Sequence, residues 1–219
     1  MIPIGLTSGP RQCTVGSPEG GHLFSVWPFL SAVEEEPSMR QAKKEIQDRA
    51  ITIGLLKTCH VGRLGTIGKD GYPRVKPLNF SYHDGKIYFH SAREGEKMDD
   101  IKRDNRICFE VDQPLALVKS RGIPCKADYL YRSVIVKGRA HIVDDPAERL
   151  AALGLLMEKY QPEGGYGEFP EEKKAMTGIV RIDVEEMTGK EDLGREGLKE
   201  AVLKALEDKA QLPIILERA

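Results

Sequence analysis

The sequence predicts a mainly β protein, a small antiparallel barrel with helices at its periphery. Three observations predict it. Apolar and polar residues alternate over several short stretches. Tight turn signals, Lys69-Asp70-Gly71 and Asp84-Gly85, separate the first of these stretches. Helical spacing is confined to a few flanking segments. The 219 residues, 40% hydrophobic and 31% charged, suit a folded chain with one main domain. A net charge of -1 argues against a nucleic-acid partner, which normally meets a clear basic excess. No apolar run approaches the ~20 residues that a bilayer span needs, so no membrane partner is expected.

The elements follow in order. Residues 40–57 place Ile46, Ala50, Ile53 and Leu56 on one helix face, suited to covering a sheet. Residues 61–67 form a first strand, with Gly62 and Gly65 leaving room for a close approach. Residues 74–82 form a second, and Pro77 assigns it to an edge or a bulge because proline cannot donate to a ladder. Residues 86–91 form a third, completing an antiparallel meander. A short helix over 95–103 turns Met98 and Ile101 inward. A fourth strand spans 106–111, and 113–126 form an irregular loop. A long strand over 128–139 puts Val134 and Val136 on one face, bends at Gly138 and continues through Ile142. Asp145 is a good N-cap and Pro146 fits the first helical position of a helix to about Tyr160. Residues 161–170 form a loop, 178–184 the last strand, and 193–209 an amphipathic helix with Leu198, Val202 and Leu206 four apart.

Residues 1–38 differ in composition. They hold one basic residue, five prolines and five glycines, which break helices and strands. They are expected to be a disordered tail, or to precede a true start at Met39. The domain proper is expected over 39–191, with a C-terminal helix and tail over 192–219. The four cysteines form no CxxC pair and no zinc-ligand spacing, which favours a reducing, cytoplasmic setting and no metal.

Three stretches could carry chemistry. In His90-Ser91-Ala92-Arg93-Glu94-Gly95-Glu96-Lys97 a strand ends at Ser91 and a helix starts near Gly95. Outward amides and the helix dipole there attract an anion, and Lys97 in the first turn makes sense if it binds phosphate. A plain strand-to-helix turn with a solvated lysine explains the same residues. Arg74 and Lys76 share one face of a strand, as a solvated edge or as half of a phosphate clamp. Tyr131 and Ser133 point one way and Arg132 the other, as a barrel strand or as a wall for a planar ligand. Motifs of zincins, P-loops, dinucleotide folds and α/β-hydrolases are absent.

Taken together, these segments resemble the FMN-binding split-barrel proteins related to pyridoxamine 5'-phosphate oxidase, and most closely their nitroimidazole-resistance-like branch. The resemblance covers roughly residues 39–191. It rests on Gly71-Tyr72-Pro73 with Pro77-Leu78, on Ile87-Tyr88-Phe89-His90-Ser91-Ala92 with Gly95 and Lys97, on Tyr131-Arg132-Ser133-Val134-Ile135-Val136 with Gly138-Arg139-Ala140, and on Glu186-Met187-Thr188-Gly189-Lys190. It implies a six-stranded antiparallel split barrel, working as a homodimer with two flavin sites at the interface. Ser91 and Lys97 would hold the FMN phosphate, with Arg74 or Lys76 assisting. Pro77, Leu78, Asn79 and Phe80, with His90 and Ala92, would line the ribityl chain and ring. Tyr131 and Ser133 would approach from the barrel or from the partner subunit. No catalytic side chain is implied.

The expected function is FMN-dependent reduction of a small oxidised molecule, nitroaromatic for instance, with electrons from a nicotinamide donor. The chain ends in Leu216-Glu217-Arg218-Ala219 without the Arg and His pair of the true oxidases, so vitamin B6 synthesis is not expected. Alternatives are a haem-binding relative, with His60 or His90 as axial ligand, and a non-catalytic flavin-binding module.

Overall fold

A computed structural model describes residues 42–195 and 197–218. The expected N-terminal tail therefore lies outside the described residues. The chain forms β1 (Gly62–Ile67), β2 (Pro73–Leu78), β3 (Ser81–His83), β4 (Lys86–Ala92), β5 (Arg106–Ser120), β6 (Asp128–Ile142), β7 (Thr177–Asp192) and β8 (Ile214–Arg218). The helices are α1 (Arg49–Thr58), α2 (Glu96–Arg103), α3 (Pro146–Tyr160), α4 (Glu171–Met176) and α5 (Leu198–Glu207). Among the described residues, no helix is long and apolar enough to cross a membrane.

The strands lie in the order β2-β1-β5-β6-β7-β4-β3, all antiparallel, and β8 pairs with β5 in parallel. Among the described residues the sheet thus has eight strands where six were expected, and it stays open, with β2 and β3 at the ends of the main order and β8 a further edge beside β5. The expected meander breaks between β2 and β3, which do not pair. Pro77 sits on an edge strand, where its missing N–H costs no ladder bond.

Local chemistry explains most element boundaries. The first helix starts only at Arg49, because Asp48 caps it by accepting from the Ala50 amide at 2.8 Å. Asp145 caps α3 by accepting from the Glu148 amide at 2.7 Å, with Pro146 in the first turn. The bend at Gly138 is a register shift between Lys137 and Gly138, where a Cβ would lie 2.2 Å from the Asp183 carbonyl. The expected loop after residue 113 is strand as far as Ser120, and its register slips between Pro114 and Ala116. The glycines of β1 make room for the protein itself. A Cβ at Gly62 would strike the Phe109 ring at 2.1 Å.

The main core gathers Leu55 and Leu56 of α1, Met98 and Ile101 of α2, and Phe80, Phe89, Phe109, Val134 and Val136 of the sheet. The phenylalanines Phe80 and Phe109 meet edge to face at 4.8 Å between centroids. A second cluster joins Leu115, Val118 and Leu130 to Val202 of α5, so residues beyond 192 pack onto β5 and β6 as a second core. A third seats α3 on Tyr88 and Ile179.

Helices bridge the open side of the sheet. Buried Asp100 of α2 accepts from Thr66 Oγ1 of β1 at 3.0 Å and from both Arg103 nitrogens at 3.1 Å. Arg103 also donates to the Ile67 carbonyl. On the far side Lys97 Nζ lies 5.1 Å from the centroid of Phe89 in β4. Tyr160, ending α3, accepts from the Phe80 amide at 2.9 Å and donates to the His60 carbonyl at 2.5 Å.

Candidate anion and flavin site

The end of β4 and the start of α2 form one corner. Phe89 and Ser91 share a face of β4 by strand alternation, and Lys97 lies over the Phe89 ring. The N-cap of α2 is Gly95, at φ 115, a conformation that favours glycine. It offers no side-chain cap, and while the Met98 amide donates to the Gly95 carbonyl at 2.9 Å, the Glu96 and Lys97 amides before it are the donors left to an acceptor. Arg74 and Lys76 reach the same corner from β2. Arg74 Nη1 lies 2.6 Å from Glu96 Oε1, and Lys76 Nζ lies 2.5 Å from Glu96 Oε2. Gly68 gives Arg74 its space, since a Cβ there would sit 2.6 Å from Arg74 Nε. Arg74 and Lys76 are thus brought together through Glu96, Lys97 lies within electrostatic range of Lys76, and Ser91 ends the strand beside them.

The electrostatics single out Lys97. It is half-buried and has no carboxylate partner among the described residues. Burial first, then the neighbouring Lys76 charge, hold its ammonium below the ordinary lysine value. Partial shielding of the otherwise exposed His90 side chain, then the Lys97 charge, push its imidazole down as well. By contrast, burial raises Asp100, but its bonds to Arg103 and Thr66 and the charge of Arg74 outweigh that and leave it below the usual carboxylate range. A cation kept from water beside unsatisfied amides fits a phosphate ester.

The remaining candidates divide. Leu78 is half-buried against the core, and Asn79 is exposed at the end of β2. Pro77 points to the opposite face from Arg74 and Lys76 and does not share their wall. The Phe80 ring is wholly buried and its amide is bonded to Tyr160, so Phe80 serves the core and offers no ring to a ligand. His90 and Ala92 are exposed on the outer face of β4. Tyr131 and Ser133 are not brought to the corner. Ser133 pairs with Lys190 and Ser91 with Gly178, at opposite ends of β7. At about 3.3 Å per residue, that is up to about 40 Å of strand.

Two residues at the corner escaped the sequence reading. Glu96 clamps both β2 cations, and Asp100 ties α2 to β1. Glu96 and Asp100 are four apart on one helix, which puts both on the side facing β2. That spacing was the available signal. A separate cleft of about 660 Å³ lies beside the far end of β7, lined by Lys44, Asp128, Asp192 and Arg195.

The pyridoxamine 5'-phosphate oxidase family profile matches residues 48–191, most of the chain from α1 to the end of β7. The chain belongs to that family. No curated protein matches its sequence. Among solved structures, it is similar to a candidate 5-nitroimidazole antibiotic resistance protein from Bacteroides thetaiotaomicron, at 24% identity and TM-score 0.60, over 67% of this chain and 85% of that one. It is also similar to the flavocytochrome Anf3 from Azotobacter vinelandii, at 19% identity and TM-score 0.63, over 74% and 77%. A FAD and haem binding protein from Mycobacterium smegmatis aligns at 17% identity and TM-score 0.63, over 74% and 80%. At these identities the structures establish the shared fold. They agree with a mainly β split barrel carrying peripheral helices.

Proposed function

We propose that the protein is a flavin-binding oxidoreductase whose Ser91–Lys97 corner holds the phosphate of FMN. The observation that carries this reading is Lys97, a half-buried cation without a carboxylate partner among the described residues. It lies at an uncapped helix start, with Arg74 and Lys76 alongside. Family membership and the flavin-binding proteins that share the fold support it. Bound FMN would supply hydride and electron transfer, and the chain would supply binding and orientation. Ser91 donates its hydroxyl, Lys97 its charge, and the α2 amides their N–H groups.

The site is completed by a second copy of the chain. Within one chain, Tyr131 and Ser133 cannot meet the corner, yet both face outward on β6. The same sheet surface exposes Val75 at 65%, Ile135 at 44% and Ile67 at 41%, set among the ion pairs of Arg63 with Glu110 and Asp112, a mixed apolar and charged surface of the kind that pairs. The substrate is a small oxidised molecule, a nitroaromatic being the first to try, and a nicotinamide is the donor.

The visible spectrum of freshly purified protein tests this. A flavin spectrum that bleaches anaerobically with NADH or NADPH and returns with a nitroaromatic acceptor is expected. A Soret band would favour the haem alternative, a flavin that no nicotinamide reduces would favour a binding module, and protein taking up neither cofactor would overturn the reading.

A further inference from the structure

We propose that Glu96 is a built-in competitor for the anion site, occupying Arg74 and Lys76 until a phosphate displaces it. The flavin reading above supplies the identity of the anion. The competition itself rests on the corner's own geometry.

One carboxylate bridges two cations. Glu96 Oε1 lies 2.6 Å from Arg74 Nη1, and Oε2 lies 2.5 Å from Lys76 Nζ. The two oxygens thus do separately what two oxygens of a phosphate would do. The carboxylate is not locked in place. Its side chain is 52% exposed, and half-exposed pairs of this kind are weak and exchange with solvent. Lys97, the next residue, is left out of the bridge. An arriving anion therefore meets Lys97 and the α2 amides first and must then win Arg74 and Lys76 from Glu96.

Other groups do not take over this role. Asp70 lies 3.5 Å from Arg74 Nη2, and Asp100 lies 3.7 Å from Arg74 Nη1 with its oxygens already bonded to Thr66 and Arg103. Among the described residues Lys76 pairs with Glu96 and with neither of these. Removing the Glu96 charge leaves Lys76 without its partner and frees one side of Arg74. The competitor thus sets a low retention of the bound phosphate compound, so that the cofactor exchanges readily.

The test measures inorganic phosphate binding through the His90 ring resonances, and FMN binding by fluorescence, in the wild type, Glu96→Gln and Asp99→Asn. Asp99 is exposed in the same first turn and serves as a control for general charge. Glu96→Gln is expected to bind phosphate at least fivefold tighter, and Asp99→Asn to stay within twofold of the wild type. Unchanged or weaker phosphate binding in Glu96→Gln would overturn the competitor. So would an equal gain in Asp99→Asn. Tighter phosphate binding in a protein that takes up no FMN would uphold the competitor and overturn the flavin reading.

Discussion

At the scale of single residues, Lys97 and Asp100 show opposite solutions to a buried charge. Asp100 is sealed by Thr66, Arg103 and Arg74, and the charge serves stability. Asp100→Ala should cost about 2–3 kcal/mol by chemical denaturation, since it takes away the acceptor of buried Thr66 and the carboxylate partner of Arg103. Lys97 has no such seal among the described residues. Lys97→Ala should weaken FMN at least tenfold, about 1.4 kcal/mol, with little change in stability. Sequence alternation correctly put Arg74 and Lys76 on one face, and turn chemistry correctly put Ser91 and Lys97 at one junction. Alternation gives the face and not the depth. Phe80 follows Leu78 on the same parity, but there the inner side runs under α3 and the ring disappears into the core. Glu96 stayed hidden because a first-turn glutamate already has a helix-dipole explanation.

At the scale of elements, α3 is tied to the rest through its last turn. Lys159 Nζ donates to the Leu56 carbonyl of α1 at 3.1 Å and sits 3.5 Å from the Phe80 ring centroid. Burial lowers Lys159 to about 8 from the ordinary lysine value of 10.5. Between those values the unfolded chain binds more protons than the folded one, so the Lys159 contribution to stability rises with pH. Tyr88, raised to about 12 by burial and Glu148, works the other way, but only above about pH 10. Denaturation midpoints from pH 8 to 10 should therefore rise less steeply in Lys159→Met than in the wild type, and parallel slopes would remove Lys159 from this role. The long strand β5 was hard to see because Pro114 breaks the usual strand signal, yet it falls where the register slips and its missing N–H is tolerated. Strand β8 was hidden because its partner, Ala116–Ser120 in β5, is about a hundred residues away in sequence.

At the scale of the whole molecule, the open sheet leaves the flavin corner and Tyr131 at separate places on one chain. The proposed second copy, packed on the face of Val75 and Ile135, would join them. Val75→Glu should shift the protein to monomers by light scattering and lower its flavin content together, because both depend on one surface. Monomers that keep their flavin would separate the two. The most direct measurement compares FMN with riboflavin, which lacks only the phosphate, by fluorescence titration of the same protein. The Lys97 corner predicts FMN binding at least tenfold tighter, a gain lost in Lys97→Ala, and equal affinities for the two flavins would contradict it.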